Sequence, residues 1–251
     1  MRSWRQRRRV SQLDLAIEAE VSARHVSFLE TGRARPSRDM VMRLAEELEV
    51  PLRHRNGMLV AAGFAPVFRE REVRAPEMEV VRLALEKILA AHEPYPAVVV
   101  DSAWNLVASN EAAAVLLEGV PAELLTEPLN MLRLTLHPEA MGGRLANLAE
   151  VRAHLLHRVR RQAEASGDRQ LTELHDELAA YEYPGVELNV THVPGPADIL
   201  LPIRLRRGGE VLSMFSTIAT FGSPLEVTVS ELAIETLWPA DERTARAFGA
   251  G

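Results

Sequence analysis

Arginines mark the part of this chain whose residue types and spacing best suit chemistry with another molecule. Arg24, Arg33, Arg35 and Arg38 lie in or just after residues 11–36, SQLDLAIEAEVSARHVSFLETGRARP. A guanidinium offers forked donors that match guanine O6 and N7 or a pair of phosphate oxygens, so clustered arginines suit duplex DNA. The stretch reads as two short helices joined by a tight turn and followed by a basic loop. Two helices at a fixed angle let the second lie in the major groove while the first braces it against the backbone.

The elements that must hold this stretch are marked by caps and stops. A first helix is predicted over 1–9, MRSWRQRRR, where Arg7 to Arg9 each read as solvated face. Ser11 caps the second helix, with Asp14 favouring its positive end, and Leu13, Leu15, Ala16 and Ala19 supply its apolar positions. Glu20-Val21-Ser22 makes the turn. Ser22 caps a third helix, in which Val26 and Leu29 face inward, and Thr31-Gly32 ends it. Ser37 caps a fourth helix through Leu48, and Pro51 starts a fifth that ends near Gly63.

In the residues SQ-x-x-L-A and VS-x-x-x-V-x-x-LE-x-G-x-x-x-PS, the first 60 or so positions resemble the XRE-type, phage-repressor-like helix-turn-helix family. That resemblance implies that Gln12 touches a phosphate and that Ala23, Arg24, Ser27 and Phe28 face base edges. Arg24 is then the residue for reading a guanine, while Ala23 and Phe28 offer apolar contact to a thymine methyl. Arg33, Arg35 and Arg38 would meet phosphate or the minor groove, adding affinity rather than sequence choice. It also implies a partly buried ion pair between Arg5 and Glu30. Against these stand a core role for Phe28 and, for the whole module, a helical protein–protein adaptor.

The charge balance divides the chain. Its 251 residues carry a net −6, but residues 1–62 hold 12 arginines against 8 acids, whereas the remainder holds 17 basic against 27 acidic residues. Phosphate attraction is local, so a basic module beside an acidic domain is compatible with DNA binding. The absence of cysteine excludes disulfides, thiolate metal sites and a cysteine nucleophile. No apolar run approaches the roughly 18 residues of a membrane span, and a cytoplasmic protein is expected.

Residues 63–76, GFAPVFREREVRAP, read as a connector interrupted by Gly63, Pro66 and Pro76. A helix from Pro76 to about His92 follows, with Met78, Val81, Leu85, Ile88 and Leu89 on one side. Strands are predicted at AVVVD (97–101) and WNLVASN (104–110), then helices at EAAAVLLEG, about 143–165 and about 168–181. Three late strands, 199–207, 210–221 and 231–239, include a hairpin at Gly208-Gly209. The expected fold is multidomain: an all-α helix-turn-helix domain of five helices, then an α+β PAS-like domain. The latter is a five-stranded antiparallel sheet with helices on one face. The domains would be 1–62, a linker at 63–76, and 77–251.

The second half resembles the ligand-binding domain of MmyB-like transcription regulators in YPAVVVDSAWNLVASNEAA, NMLRLTLHPE, NLAEVRAHL and FSTIATFGSPLEVTVSELAIETLWPAD. The family commonly has tryptophan where this chain carries Val151. The resemblance implies an apolar pocket and a small apolar, fatty-acid-like ligand. A ligand carboxylate calls for a cation at the cavity mouth, and Arg133 and Arg152 are the candidates. Trp104, Leu132, Leu136, Met214 and Phe215 are candidate lining residues. Ordinary core packing, or for the arginines an ion pair with a glutamate, is the competing reading of each.

Other chemistry is not supported. His154 and His157 stand three apart on a helix, but Arg158, Arg160 and Arg161 beside them disfavour a metal ion. There is no phosphate-cradling glycine loop, no G-x-S-x-G elbow and no HExxH. No enzyme activity and no cofactor are expected. The partners expected are double-stranded DNA with a near-palindromic operator, a small apolar ligand and a second copy in a homodimer. A domain serving only dimerisation is the alternative for the second half.

Overall fold

The computed structural model describes residues 1–188 and 200–249, which divide into two compact units. The first holds Met1–Glu72 with Glu164–Gly167 and Ser223–Ser230; the second holds the rest.

The first unit contains five helices in the expected places: α1 (Arg2–Arg7), α2 (Gln12–Glu18), α3 (Ala23–Glu30), α4 (Arg38–Glu47) and α5 (Leu52–Ala61). Their starts are local. The Ser11 hydroxyl accepts from the Asp14 amide while Asp14 accepts from the Ser11 amide, a reciprocal cap. Ser22 and Ser37 accept from the amides of His25 and Met40. Between the helices, Arg9, Glu20 and Glu49 take positive φ of 55°, 53° and 46°, reversing the chain where glycine is the usual choice. Trp4, Leu15, Ala16, Ala19, Val26, Leu44, Ala45, Leu48 and Val50 form the core. Leu13 is not part of it, being 60% exposed on the outer face of α2. Arg8 donates to the carbonyls of Leu48 and Glu49 at 3.0 Å each, so it closes the C-terminal end of α4 instead of lying free on the surface.

The second unit is built on α6 (Glu79–Ala91) and an antiparallel sheet of β1 (Ala97–Val100), β2 (Leu106–Ser109), β3 (Ile203–Arg207), β4 (Glu210–Thr220) and β5 (Ala233–Pro239), in the order β2-β1-β5-β4-β3. Ile199, the first residue of the predicted third strand, lies outside the described residues. Short α7 (Ala114–Leu117), α8 (Met131–Leu136) and α9 (Met141–Arg144) precede the longer α10 (Leu148–Ser166) and α11 (Arg169–Ala179). Of two later short helices, α12 (Val227–Glu231) falls in the first unit except for its last residue, and α13 (Glu242–Ala247) falls in the second.

Both faces of the sheet are covered, not one. Side chains alternate along a strand, so Val98 and Val100 join the large core with α8, α10 and α11, whereas Ala97 and Val99 join Leu85 and Leu89 of α6. Ile88 points away from that layer and is 40% exposed.

The helix predicted over 143–165 is interrupted because Leu145–Asn147 pairs with β3. The Ala146 amide donates to the Arg204 carbonyl at 2.7 Å, and the Asn147 side chain accepts from the Arg204 amide and donates to the Pro202 carbonyl. Gly142 and Gly143 of α9 press against the chain before them. A Cβ at Gly142 would stand 2.7 Å from the carbonyl oxygens of Leu136 and His137, so only glycine fits.

Candidate functional site

Two places carry the expected chemistry, one in each unit. In the first, α3 presents Arg24 to solvent, its guanidinium 5.1 Å from the centre of the Phe28 ring, with Arg33 at 6.0 Å from the same ring. Phe28 is therefore half-buried under two cations rather than in the core. Ala23 and Ser27 are likewise half-buried, and Arg35 and Arg38 are exposed.

What orients α3 is a charge lock beneath it. Arg5 of α1 donates from Nε to Glu30 Oε1 at 2.8 Å and from a terminal nitrogen to Oε2 at 2.9 Å, while another terminal nitrogen reaches the Val10 carbonyl. The two side chains are only 13% and 2% exposed. The paired guanidinium holds the Glu30 carboxyl below the usual carboxylate range, against burial that pulls the other way. Gln12 adds a third donor to Glu30 at 2.7 Å. Its amide is thus committed inside the module, whereas the sequence reading sent it to a phosphate.

The second place is a small cavity of about 50 Å³ in the α+β unit. Its wall includes Met131, Leu132, Met141 and Leu155, with two polar residues, Thr135 and Glu235. The Thr135 hydroxyl donates to the Met131 carbonyl at 2.7 Å. Glu235 follows from strand alternation: it lies opposite Val98 of β1 and Ile218 of β4, in phase with Ala233 and Leu237, which pack on the large core. Burial raises its pKa, while the charge of Arg158 and a hydrogen bond with Ser216 act in the opposite direction. Arg158, whose own pKa is lowered by burial, lies 4.2 Å over the Trp104 ring. The Trp104 indole N–H donates to Gln162, whose amide donates to the Ser102 carbonyl.

Residues 81–250 match the family model described as the MmyB-like transcription regulator ligand binding domain. The chain belongs to that family. Residues 1–54 match a helix-turn-helix model, and together the two matches make this MmyB-like protein a DNA-binding transcription regulator with a ligand-binding domain. Among curated proteins no match is found. A solved structure described as an RNA-binding light-oxygen-voltage receptor is similar at 15% identity, covering 98% of this chain and 58% of its own, with a TM-score of 0.31. The chain thus spans little more than half the length of that receptor. No helix among the described residues is long and apolar enough to cross a membrane.

In this MmyB-like domain the seven residues expected at the ligand site separate. Leu132 lines the cavity. Trp104, Leu136 and Met214 are buried in the same core without appearing on its wall. Phe215 lies opposite Trp238, in phase with the other face of the sheet. Arg133 makes a bidentate pair with Glu177 at 2.8 and 2.7 Å, and Arg152 donates to the Ala179 carbonyl at 2.6 Å. Neither arginine is among the described wall residues of this cavity; Arg133 instead lines a second cleft, of about 340 Å³, with Asn130, His137, Glu177 and Tyr181.

Glu235 and Gln162 went unnoticed in the sequence, and Arg158 was noticed only as a charge beside His154 and His157. A signal existed for the first: in AIETLWP the acid occupies the phase of alanine and leucine, and an inward acid in a buried strand calls for a reason. Asn130 was also missed. It is 5% exposed, donates to the Ala103 carbonyl and Asn105, and caps α8 by accepting from the amides of Leu132 and Arg133.

Proposed function

We propose that this regulator reads a near-palindromic operator in double-stranded DNA as a homodimer and responds to a small apolar, fatty-acid-like ligand. Residues 1–62 read DNA, 63–76 connect, and 77–251 bind the ligand. It works in the cytoplasm, without a cofactor or a membrane. The observation that carries the reading is the pair of exposed guanidiniums over Phe28, Arg24 on α3 and Arg33 just after it, with α3 fixed by Arg5 and Glu30. Arg24, with Ala23, Ser27 and Phe28, meets base edges; Arg33, Arg35 and Arg38 meet phosphate. Gln12 reaches a phosphate only if it leaves Glu30.

Ligand acts by population shift: its contacts differ between two arrangements of the protein, which changes how well paired recognition helices match two half-sites. The test is selection of bound sequences from a random DNA pool, with and without a lipid extract. Two half-sites about one helical turn apart are expected, with enrichment altered by the extract. A pool with no preferred sequence would sink the reading. Arg35→Ala is expected to weaken specific and random DNA alike and to reduce the salt slope by about one.

The small cavity favours a second reading, in which the C-terminal domain only dimerises. About 50 Å³ holds a few heavy atoms. A longer chain fits only if Met131 and Met141 change rotamer, which these unbranched side chains do readily. Native mass spectrometry separates the two: a co-purifying small molecule supports the sensor, and a bare dimer unmoved by any lipid supports the scaffold.

A further inference from the structure

We propose that Glu235 recognises the ligand's head group, and that the cavity takes an apolar molecule whose head donates a hydrogen bond, such as a long-chain alcohol, in preference to an ionised carboxylate. The inference rests on the ligand-binding reading above and changes the head of the ligand, not its apolar chain.

Three observations lead there. First, the register of β5 fixes where Glu235 points. It pairs with Val98, a residue of the cavity wall, and shares the inward phase of Leu237, another wall residue. Second, the wall has little else to offer a polar head. Thr135 already donates its proton to the Met131 carbonyl, and among the described wall residues there is no arginine, lysine or histidine. Third, the nearby arginines are not among the described wall residues, although Arg152 Nε is buried without a hydrogen-bond partner. Arg133 is paired with Glu177, Arg152 holds the Ala179 carbonyl, and Arg158 lies across Trp104 with Glu235 as its counter-charge.

A carboxylate head would therefore meet a carboxyl group with no cation among the described wall residues to compensate it. Two carboxylates sharing such a site cannot both ionise comfortably. A hydroxyl donates to either form of Glu235: the carboxylate accepts outright, and the neutral acid still presents a carbonyl oxygen. The pairing adds no net charge to the cavity, so the desolvation cost is that of one hydroxyl.

The test measures binding of dodecanol, dodecanoate and dodecane to the full-length protein at neutral pH, by calorimetry or by change in tryptophan fluorescence. Dodecanol is expected to bind about tenfold or more tightly than dodecanoate, because only the acid brings a second carboxylate charge to the site. Dodecane should fall below dodecanol, because it offers Glu235 no hydrogen bond beyond the one from Ser216. In Glu235→Gln the gap between alcohol and acid should narrow to about threefold, mainly through tighter dodecanoate binding. Equal affinity for alcohol and acid in the unaltered protein would overturn the proposal, a comparison that needs no variant to fold. So would a gap unchanged in a folded Glu235→Gln protein. Failure of all three probes would instead overturn the ligand-binding reading, and the proposal with it.

Discussion

Glu30 in the helix-turn-helix unit and Glu235 in the ligand-binding domain are both carboxylates withdrawn from water, and their surroundings treat them in opposite ways. Glu30 accepts from Arg5 twice and from Gln12 once, so its charge is met by a guanidinium and its oxygens are filled. Its pKa falls. At Glu235 burial dominates over the opposing charge of Arg158 and a hydrogen bond with Ser216, and its pKa rises. One unit uses a buried acid to fix geometry, as a DNA-reading helix requires. The other holds a half-buried acid against a small cavity, with bonding capacity left over. A saturated charge is an architectural part, whereas an under-supplied one marks a place where something else can bind.

The sharpest way to break this comparison is to remove Glu30. Glu30→Ala strands the Arg5 guanidinium in a site where its side chain is 13% exposed, and it also frees Gln12. Losing one member of a largely buried pair is expected to cost about 3 kcal/mol, read as a lower denaturant midpoint for the first unit. Operator binding should fall with it, because α1 no longer braces α3. A cost below about 1 kcal/mol would place the pair with ordinary surface bridges and remove the contrast with Glu235.

The next effect belongs to the surface that Glu30 supports. Arg24→Ala is expected to cost about 1–3 kcal/mol at one base position and to relax preference there, leaving random DNA nearly unaffected. Competition assays on operators varied one base at a time would show it. Equal weakening on every sequence would make Arg24 a phosphate contact and leave base choice to Ser27 or Phe28.

The same contrast explains what could be read from the chain before its fold was known. Ser11, Ser22 and Ser37 each act on an amide three residues away, so the five helices of the first unit were legible as a string of caps and stops. The Arg5–Glu30 pair was expected only from the resemblance to helix-turn-helix regulators, and the fold class of the second unit followed from its pattern of strands and helices. Glu235 and its surroundings were not legible because they depend on strand register, and nothing local tells β5 that Val98 and Ile218 will flank its acid. The broken helix at Leu145–Asn147 is a second case, where pairing with β3 overrides helical periodicity. Arg133 and Arg152 misled for a related reason. An arginine in an apolar stretch suggests a ligand, yet Glu177 lies 44 residues beyond Arg133 and the Ala179 carbonyl 27 beyond Arg152.

The smallest expected effect sharpens the comparison through pH. Glu30 has a folded pKa below its ordinary 4.5, so its contribution to stability is present above that value and is lost as pH falls through the folded pKa. Glu235 has a folded pKa above 4.5, so its contribution is fully present below 4.5 and is lost as pH rises through the folded value, where the charge must form inside the domain. Melting curves of the unaltered protein and of Glu235→Gln, compared from acid to neutral pH, should therefore diverge in one direction. The unaltered protein loses stability relative to the variant as pH climbs above 4.5, while Glu30→Gln gives the reverse trend as pH falls below it. A ligand that donates a hydrogen bond to the Glu235 carboxylate should flatten the first trend and leave the second untouched. If Glu235→Gln shifts stability by a constant amount at every pH, then Arg158 and Ser216 supply the acid as fully as Arg5 and Gln12 supply Glu30, and the two carboxylates play the same structural part.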